Sequence, residues 1–234
     1  MGSGNSLWMV AAVVAVGVFI FGVVGLLVSP NSGDVEFQKT LEAMKQVKSF
    51  RGAYVMSTSS SQHSERTWEV DCNRNVIHRQ MHDLESISDS AYESKQDELL
   101  VGDETYTRES DGSWERTGFG AKLYTGKWYC DNLAQGTARD LLPDILTMLR
   151  HAAIAKGDKK TVNGVRCREW MFANRSALSA EKGSVCIGLE DHLPYEMTSE
   201  DGRSRYTYSD FNASIPIDVP EAALQPASAT SETN

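Results

Sequence analysis

The chain has 234 residues, with 32 Asp plus Glu against 23 Lys plus Arg and a formal net charge of -9. That balance argues against a protein built to hold a phosphate backbone, which requires clustered Lys and Arg. Eight Tyr, seven Phe and five Trp supply a sizeable core and exclude collagen-like, coiled-coil and wholly disordered chains.

The charge is unevenly distributed. Residues 1–6 form a short uncharged tail, and Leu7 to Val28 is a run of 22 residues without a charge, when about 20 apolar residues suffice to cross a bilayer as a helix. This segment reads as a single N-terminal transmembrane anchor. A cleaved secretory signal is the alternative. Against it stand the missing basic start, the length of the apolar core, and Leu27-Val-Ser-Pro30, which offers neither an Ala-x-Ala site nor a lipobox cysteine. Gly2 and Ser6 fit a myristoylation pattern, but a spanning helix directly behind makes a lipid anchor redundant.

Residues 29–33 read as a linker, 34–221 as one folded domain, and 222–234 as a disordered, Ala/Ser/Thr-rich tail. Cys72, Cys130, Cys167 and Cys186 form an even set without a C-x-x-C or zinc-type spacing. Behind an export-type segment they favour two disulfides, with buried thiols as the alternative. The expected location is the inner (cytoplasmic) membrane, with the soluble domain in the periplasm or outside the cell.

Within the domain, Phe37, Leu41, Met44 and Val47 recur at helical spacing and predict an amphipathic helix over 35–48. Strand-like runs follow at 53–58, 66–70, 76–81, 86–94, 98–101 and 104–108, rich in β-branched and aromatic residues and separated by turn residues. Gly102-Asp103 and Asp111-Gly112 read as hairpin turns, and Trp114 and the aromatic run 124–129 continue the antiparallel meander. A second helix is expected from the apolar stripe Leu141, Leu142, Ile145, Leu146 and Leu149, beginning near Pro143 and stopped by Gly157. Strands resume at 165–172, 184–189, 195–198 and 204–211, with Asp201-Gly202 closing the last hairpin. The fold class is therefore α+β, an antiparallel sheet with covering helices.

A symmetric hairpin between the strands at 165–172 and 184–189 places Cys167 opposite Cys186. Alternation then puts Cys167, Glu169, Met171, Cys186 and Gly188 on one face and Trp170, Phe172, Val185, Ile187 and Leu189 on the other. The apolar face is expected to look into the fold and the disulfide to sit on the outer surface. Cys72 then pairs with Cys130 by elimination.

No catalytic constellation emerges. His78 and His82 have a zinc-like spacing, but on a strand and without the glutamate that hydrolytic zinc chemistry requires, so solvated strand residues are the plainer reading. There is no Gly-x-Ser-x-Gly elbow. The expectation is a non-enzyme with no metal, no cofactor and no nucleic-acid partner.

The order of elements resembles the LolA-like lipoprotein carriers and their LppX/LprG relatives. The resemblance is carried by Val47-Lys-Ser-Phe-Arg-Gly52, Leu100-Val-Gly-Asp-Glu-Thr-Tyr106, Asp111-Gly-Ser-Trp114, Thr161-Val-Asn-Gly-Val-Arg-Cys-Arg-Glu-Trp170, Leu193-Pro-Tyr-Glu-Met197, Arg205-Tyr-Thr-Tyr-Ser-Asp-Phe-Asn212 and Ile217-Asp-Val-Pro220. It implies an unclosed antiparallel half-barrel whose concave face, covered by helices, holds acyl chains of a lipid or lipoprotein. Trp68, Tyr106, Trp114, Trp170, Phe172, Ile187 and Leu189 are the candidates for the cavity wall, with core packing as the alternative for each. A second expectation is an envelope sensor that binds a protein partner, similar to RseB-type regulators. A membrane tether suits a stationary receiver or a sensor better than a shuttle.

Overall fold

The computed structural model describes residues 32–59, 62–87, 90–117, 125–135, 152–174 and 182–221. The expected transmembrane segment, the helix over 141–149 and the C-terminal tail lie outside them. No helix among the described residues is long and apolar enough to cross a membrane.

Helix α1 (Ser32–Lys45) begins inside the expected linker. It buries Phe37, Thr40, Leu41 and Met44, residues spaced three and four apart along one face. Strands β1 (Ser49–Ser59), β2 (Gln62–Asp71), β3 (Val76–Ile87), β4 (Ser90–Val101), β5 (Glu104–Arg108) and β6 (Trp114–Arg116) form one antiparallel meander. Strands β7 (Ala152–Val162), β8 (Val165–Asn174), β9 (Lys182–Gly188), β10 (Pro194–Ser199) and β11 (Ser204–Ser209) form another. Pairing of β1 with β11 joins the two into one sheet of 11 strands, with β6 and β7 at its unpaired ends. The sheet is unclosed, as the half-barrel reading requires.

The runs at 76–81, 86–94 and 98–101 are two continuous 12-residue strands, β3 and β4. Charged and polar residues in the middle of each hide the continuity from a hydrophobicity reading. The described part of the aromatic run, 125–129, is not a strand. Gly126–Gln135 is helix α2, whose N-cap is Thr125: its Oγ1 accepts from the Trp128 N–H at 3.2 Å. Tyr129 and Leu133, four apart, bury the face that packs toward β3 and β4.

Gly157 ends no helix. It lies inside β7, where the register shifts between Lys156 and Lys159. Lys156 lies opposite Trp170 and Lys160 opposite Cys167, so this bulge sends two lysines four residues apart to opposite faces of the sheet.

The two faces carry different cores. One is covered by α1 and α2 and holds Phe50, Trp68, Val70, Ile77, Leu100, Trp170, Phe172, Val185, Ile187 and Tyr208. Gly52 on this face leaves room for the Trp68 indole, since a Cβ there would stand 2.2 Å from Nε1. The opposite face buries Val76, Leu99 and Tyr106 beneath Ile215 and Ile217 of the C-terminal segment. That segment is held down by Arg74, whose guanidinium donates to the carbonyls of Ile215 and Ile217 at 3.2 and 3.3 Å.

Both expected disulfides form, Cys72–Cys130 and Cys167–Cys186, the second with a Cα separation of 5.5 Å. The β8–β9 register is offset by two residues from the symmetric one: Cys167 lies opposite Gly188, and Cys186 opposite Glu169. An even offset preserves the faces, so the cysteines do lie opposite Trp170 and Ile187. They are not on the outer surface, however: Cys167 and Cys186 are 0% and 1% exposed.

A charged network shares that face with the disulfide. Lys160 Nζ donates to Glu169 at 2.9 Å and to Glu196 at 2.8 Å, and Arg205 Nε donates to Glu196 at 2.9 Å. The Lys160 hydrogen bond holds the Glu169 carboxyl below its ordinary range. Burial pushes Glu196 up, but hydrogen bonds from Lys160 and Arg205 outweigh it and leave that carboxyl lowered too. Carboxylates depressed in the folded state stabilise it above the unfolded value, near ~4.3, and lose that contribution as pH falls through the folded one. Thermal melts of the parent and Lys160→Met should therefore differ most near neutrality and converge as the pH falls below the ordinary carboxylate range.

Candidate functional site

Between the first turns of α1 and the ends of β7, β8 and β9 lies a groove of about 450 Å³ on the helix-covered face. Its apolar lining is Trp170, Ile187 and Leu189 from the sheet side, with Val35 of α1 facing them at 44% exposure. The alternation of β8 and β9 places Trp170 and Ile187 here. Its polar lining is Glu36, Lys39, Lys156, Arg168 and His192.

Each rim residue has a local reason for its position. Lys156 owes its direction to the β7 bulge. Arg168 Nη1 donates to the Gly157 carbonyl in the same bulge at 3.3 Å. His192 sits in the turn after β9 with a φ of 59°, and its Nδ1 is 2.6 Å from Glu36 Oε1, so one contact ties that turn to α1. Lys39 flanks the same carboxylate at 3.6 Å. The rim thus carries three fixed cations against one carboxylate, over an apolar floor.

Such a groove offers a place for hydrocarbon beside a place for an anion. It offers nothing that attacks a bond, because no nucleophile with an adjacent base lines it.

Of the seven expected cavity residues, Trp170, Ile187 and Leu189 meet in this groove. Trp68 and Phe172 lie on the same sheet face, packed within its core. Tyr106 and Trp114 lie on the opposite face, in and against the small cluster beneath Ile215 and Ile217. The Tyr106 hydroxyl is raised above its ordinary range by burial and, secondarily, by Glu104. The Nε1 atoms of Trp68 and Trp170 and the Tyr208 hydroxyl are buried without a hydrogen-bond partner, a condition that costs about 1–3 kcal/mol per group.

Sequence reasoning missed Lys39, Lys156, Arg168 and His192. Lys156 carries a signal only once the bulge is known, because uninterrupted alternation would put Lys156 and Lys160 on one face; Arg168 shares the face of Trp170 by the alternation of β8 and was within reach of it. Nothing near His192 in the sequence signals its role, because its partner Glu36 is 156 residues away.

His63, His78 and His82 stand on the opposite face. His78 Nε2 is 2.7 Å from Asp97 and His82 Nε2 is 3.0 Å from Glu93. Two further pockets, about 370 and 560 Å³, have mixed linings: the first combines Arg51, Glu69 and His78 with Trp68 and Tyr208, and the second combines His82, Asp97 and Arg108 with Met81.

No family model matches the chain, and no curated protein does. Solved structures do. LprF from Mycobacterium bovis superposes with a TM-score of 0.56 at 12% identity, over 80% of this chain and 96% of that one. The Mycobacterium tuberculosis lipoprotein LppX matches with a TM-score of 0.47 at 15% identity, over 79% of this chain and 97% of that one. The Pseudomonas aeruginosa MucA/MucB complex matches with a TM-score of 0.40 at 15% identity, over 84% of this chain and 61% of that one. The likeness to LprF shows a shared fold, and the resemblance to the LolA-like and LppX/LprG-type proteins holds at that level.

Proposed function

We propose that this chain is a membrane-anchored, exported lipid- or lipoprotein-binding protein that receives acyl chains between its sheet and its covering helices. The observation that carries this reading is the groove floored by Trp170, Ile187 and Leu189, which opens along the helix-covered face beside the exposed Val35. Transfer of hydrocarbon from water into such a site is worth about 0.8 kcal/mol per buried methylene. Because an acyl chain already in a bilayer has no such gain, uptake depends on lining contacts and on whatever holds the headgroup.

On this reading an anchor at residues 7–28 holds the domain at the inner membrane as a stationary receiver. A tethered domain cannot cross a wide periplasm, so the reading is of capture or presentation at one membrane. The same fold could instead present a surface to an envelope protein, the reading similar to RseB-type regulators. The apolar floor favours lipid over that alternative.

The test is site-specific photocrosslinking in the native membrane, with a benzophenone amino acid at Leu189 or Val35 of the full chain. Adducts with the mass of a membrane lipid or a lipoprotein acyl group are expected at both positions. Adducts to one polypeptide, with no lipid adduct at either position, would favour the protein-partner reading and overturn this one.

A further inference from the structure

From the rim of the groove we infer that the occupant is an anionic phospholipid of the membrane in which the chain is anchored, its phosphate held by Lys39, Lys156 and Arg168 and its acyl chain by the apolar floor. The inference rests on the proposed lipid-binding, membrane-tethered function and adds the class of lipid and its source.

The first observation is charge. The chain as a whole carries -9, yet this groove has Lys39, Lys156 and Arg168 facing one carboxylate, Glu36. Lys39 has a half-exposed side chain, and Lys156 is exposed. Both ammonium groups can therefore reach a phosphate without breaking a buried pair. Arg168 is fixed by its bond to the Gly157 carbonyl and keeps further guanidinium donors for a phosphate oxygen.

The second observation is the combination. A cationic rim over an apolar floor matches a molecule with an anionic head and a hydrocarbon tail. A soluble anion would leave the exposed Val35 and the half-buried Leu189 without an apolar partner. A neutral acyl chain would offer nothing to Lys156 or to the guanidinium donors of Arg168 not spent on Gly157.

The third is the length of chain. Val28 ends the apolar segment and Ser32 begins α1, so at most four residue steps, about 14 Å fully extended, separate them. Val35, Glu36 and Lys39, which form one wall of the groove, lie in the first two turns of that helix. The rim is thereby kept close to the membrane surface, where anionic lipid attracts each nearby lysine within about one Debye length, ~8–10 Å.

The test uses the full chain reconstituted in phosphatidylcholine vesicles that contain deuterated phosphatidylglycerol and deuterated phosphatidylcholine together in equal trace amounts. After detergent extraction and affinity purification, retained deuterated lipid is counted by mass spectrometry. Phosphatidylglycerol should be enriched over phosphatidylcholine by about tenfold at low salt, and less at high salt. Lys39→Gln/Lys156→Gln should retain less phosphatidylglycerol and lose most of that preference, about threefold for each lysine. Lys182→Gln, at a site outside the groove, serves as the control and should keep the preference, with thermal melts confirming that all variants fold.

Retention of both lipids in equal amounts would overturn the headgroup assignment and leave the lipid-binding function standing. Retention of neither would overturn both. A preference that survives the double substitution would also overturn the assignment, by moving the anion site elsewhere.

Discussion

Replacing Cys72 and Cys130 together by alanine should lower stability by about 4 kcal/mol, more than the ~3 kcal/mol expected from removing Cys167 and Cys186, on the loop-entropy scale. The bonded cysteines are 58 residues apart in the first pair and 19 in the second, and the longer loop loses more freedom in the unfolded chain. The first pair also has a mechanical role that the second lacks. Cys130 lies on α2, and Cys72 lies in the turn between β2 and β3, so this bond ties a covering helix to the sheet beneath it. Cys167 and Cys186 join neighbouring strands that are already paired. Denaturant unfolding of the two double variants would check the order. Hydrogen exchange should show α2 opening first in Cys72→Ala/Cys130→Ala. A smaller loss for the α2 pair than for the strand pair would contradict this.

Phe50→Ala should cost about 3–5 kcal/mol, and Phe50→Leu under about 1.5 kcal/mol. Phe50 is wholly buried at the start of β1. Its ring lies 6.1 Å from Tyr208, edge on, and 5.9 Å from Phe211, stacked. Both partners belong to β11 or the turn that follows it. The pairing of β1 with β11 unites the two meanders. Denaturation midpoints of the two variants would measure the effect. In Phe50→Ala, the amides of β1 and β11 should lose exchange protection before those of β3 and β4. A loss below about 1 kcal/mol would mean that the site collapses and the junction does not depend on this ring.

Most of the fold was legible because its signals are local. The amphipathic stripe of α1, the turns at Gly102-Asp103 and Asp201-Gly202, and the alternation of β8 and β9 are each written within a dozen residues. The even cysteine count and hairpin spacing likewise pointed to both disulfides. What failed depended on context. Trp128 and Tyr129 have strand propensity, but the Thr125 cap and the packing of Tyr129 and Leu133 make that segment helical, tertiary contacts overriding propensity. Gly157 resembled a helix stop, and as a bulge it changes which lysines face which side. The Cys167–Cys186 bond is buried on the face it shares with Lys160, Glu169 and Glu196, residues that only the assembled sheet brings beside it.

The site was half legible for the same reason. Its apolar floor follows from strand alternation, so Trp170, Ile187 and Leu189 were identified together. Tyr106 and Trp114 were grouped with them by aromatic character alone, and nothing in a short window shows that they occupy the other side of the sheet. The cationic rim draws on α1, β7, β8 and the turn after β9. Those pieces meet only once the sheet is assembled.

The most direct measurement is lipid quantification by mass spectrometry on the full chain, extracted gently from its own membranes, alongside Ile187→Glu as a floor variant. The account predicts acyl lipid at close to one equivalent in the parent and a large drop in Ile187→Glu, with thermal melting confirming that the variant folds. A parent chain that carries no lipid above the level of an unrelated membrane protein would contradict the account and direct attention to a protein partner.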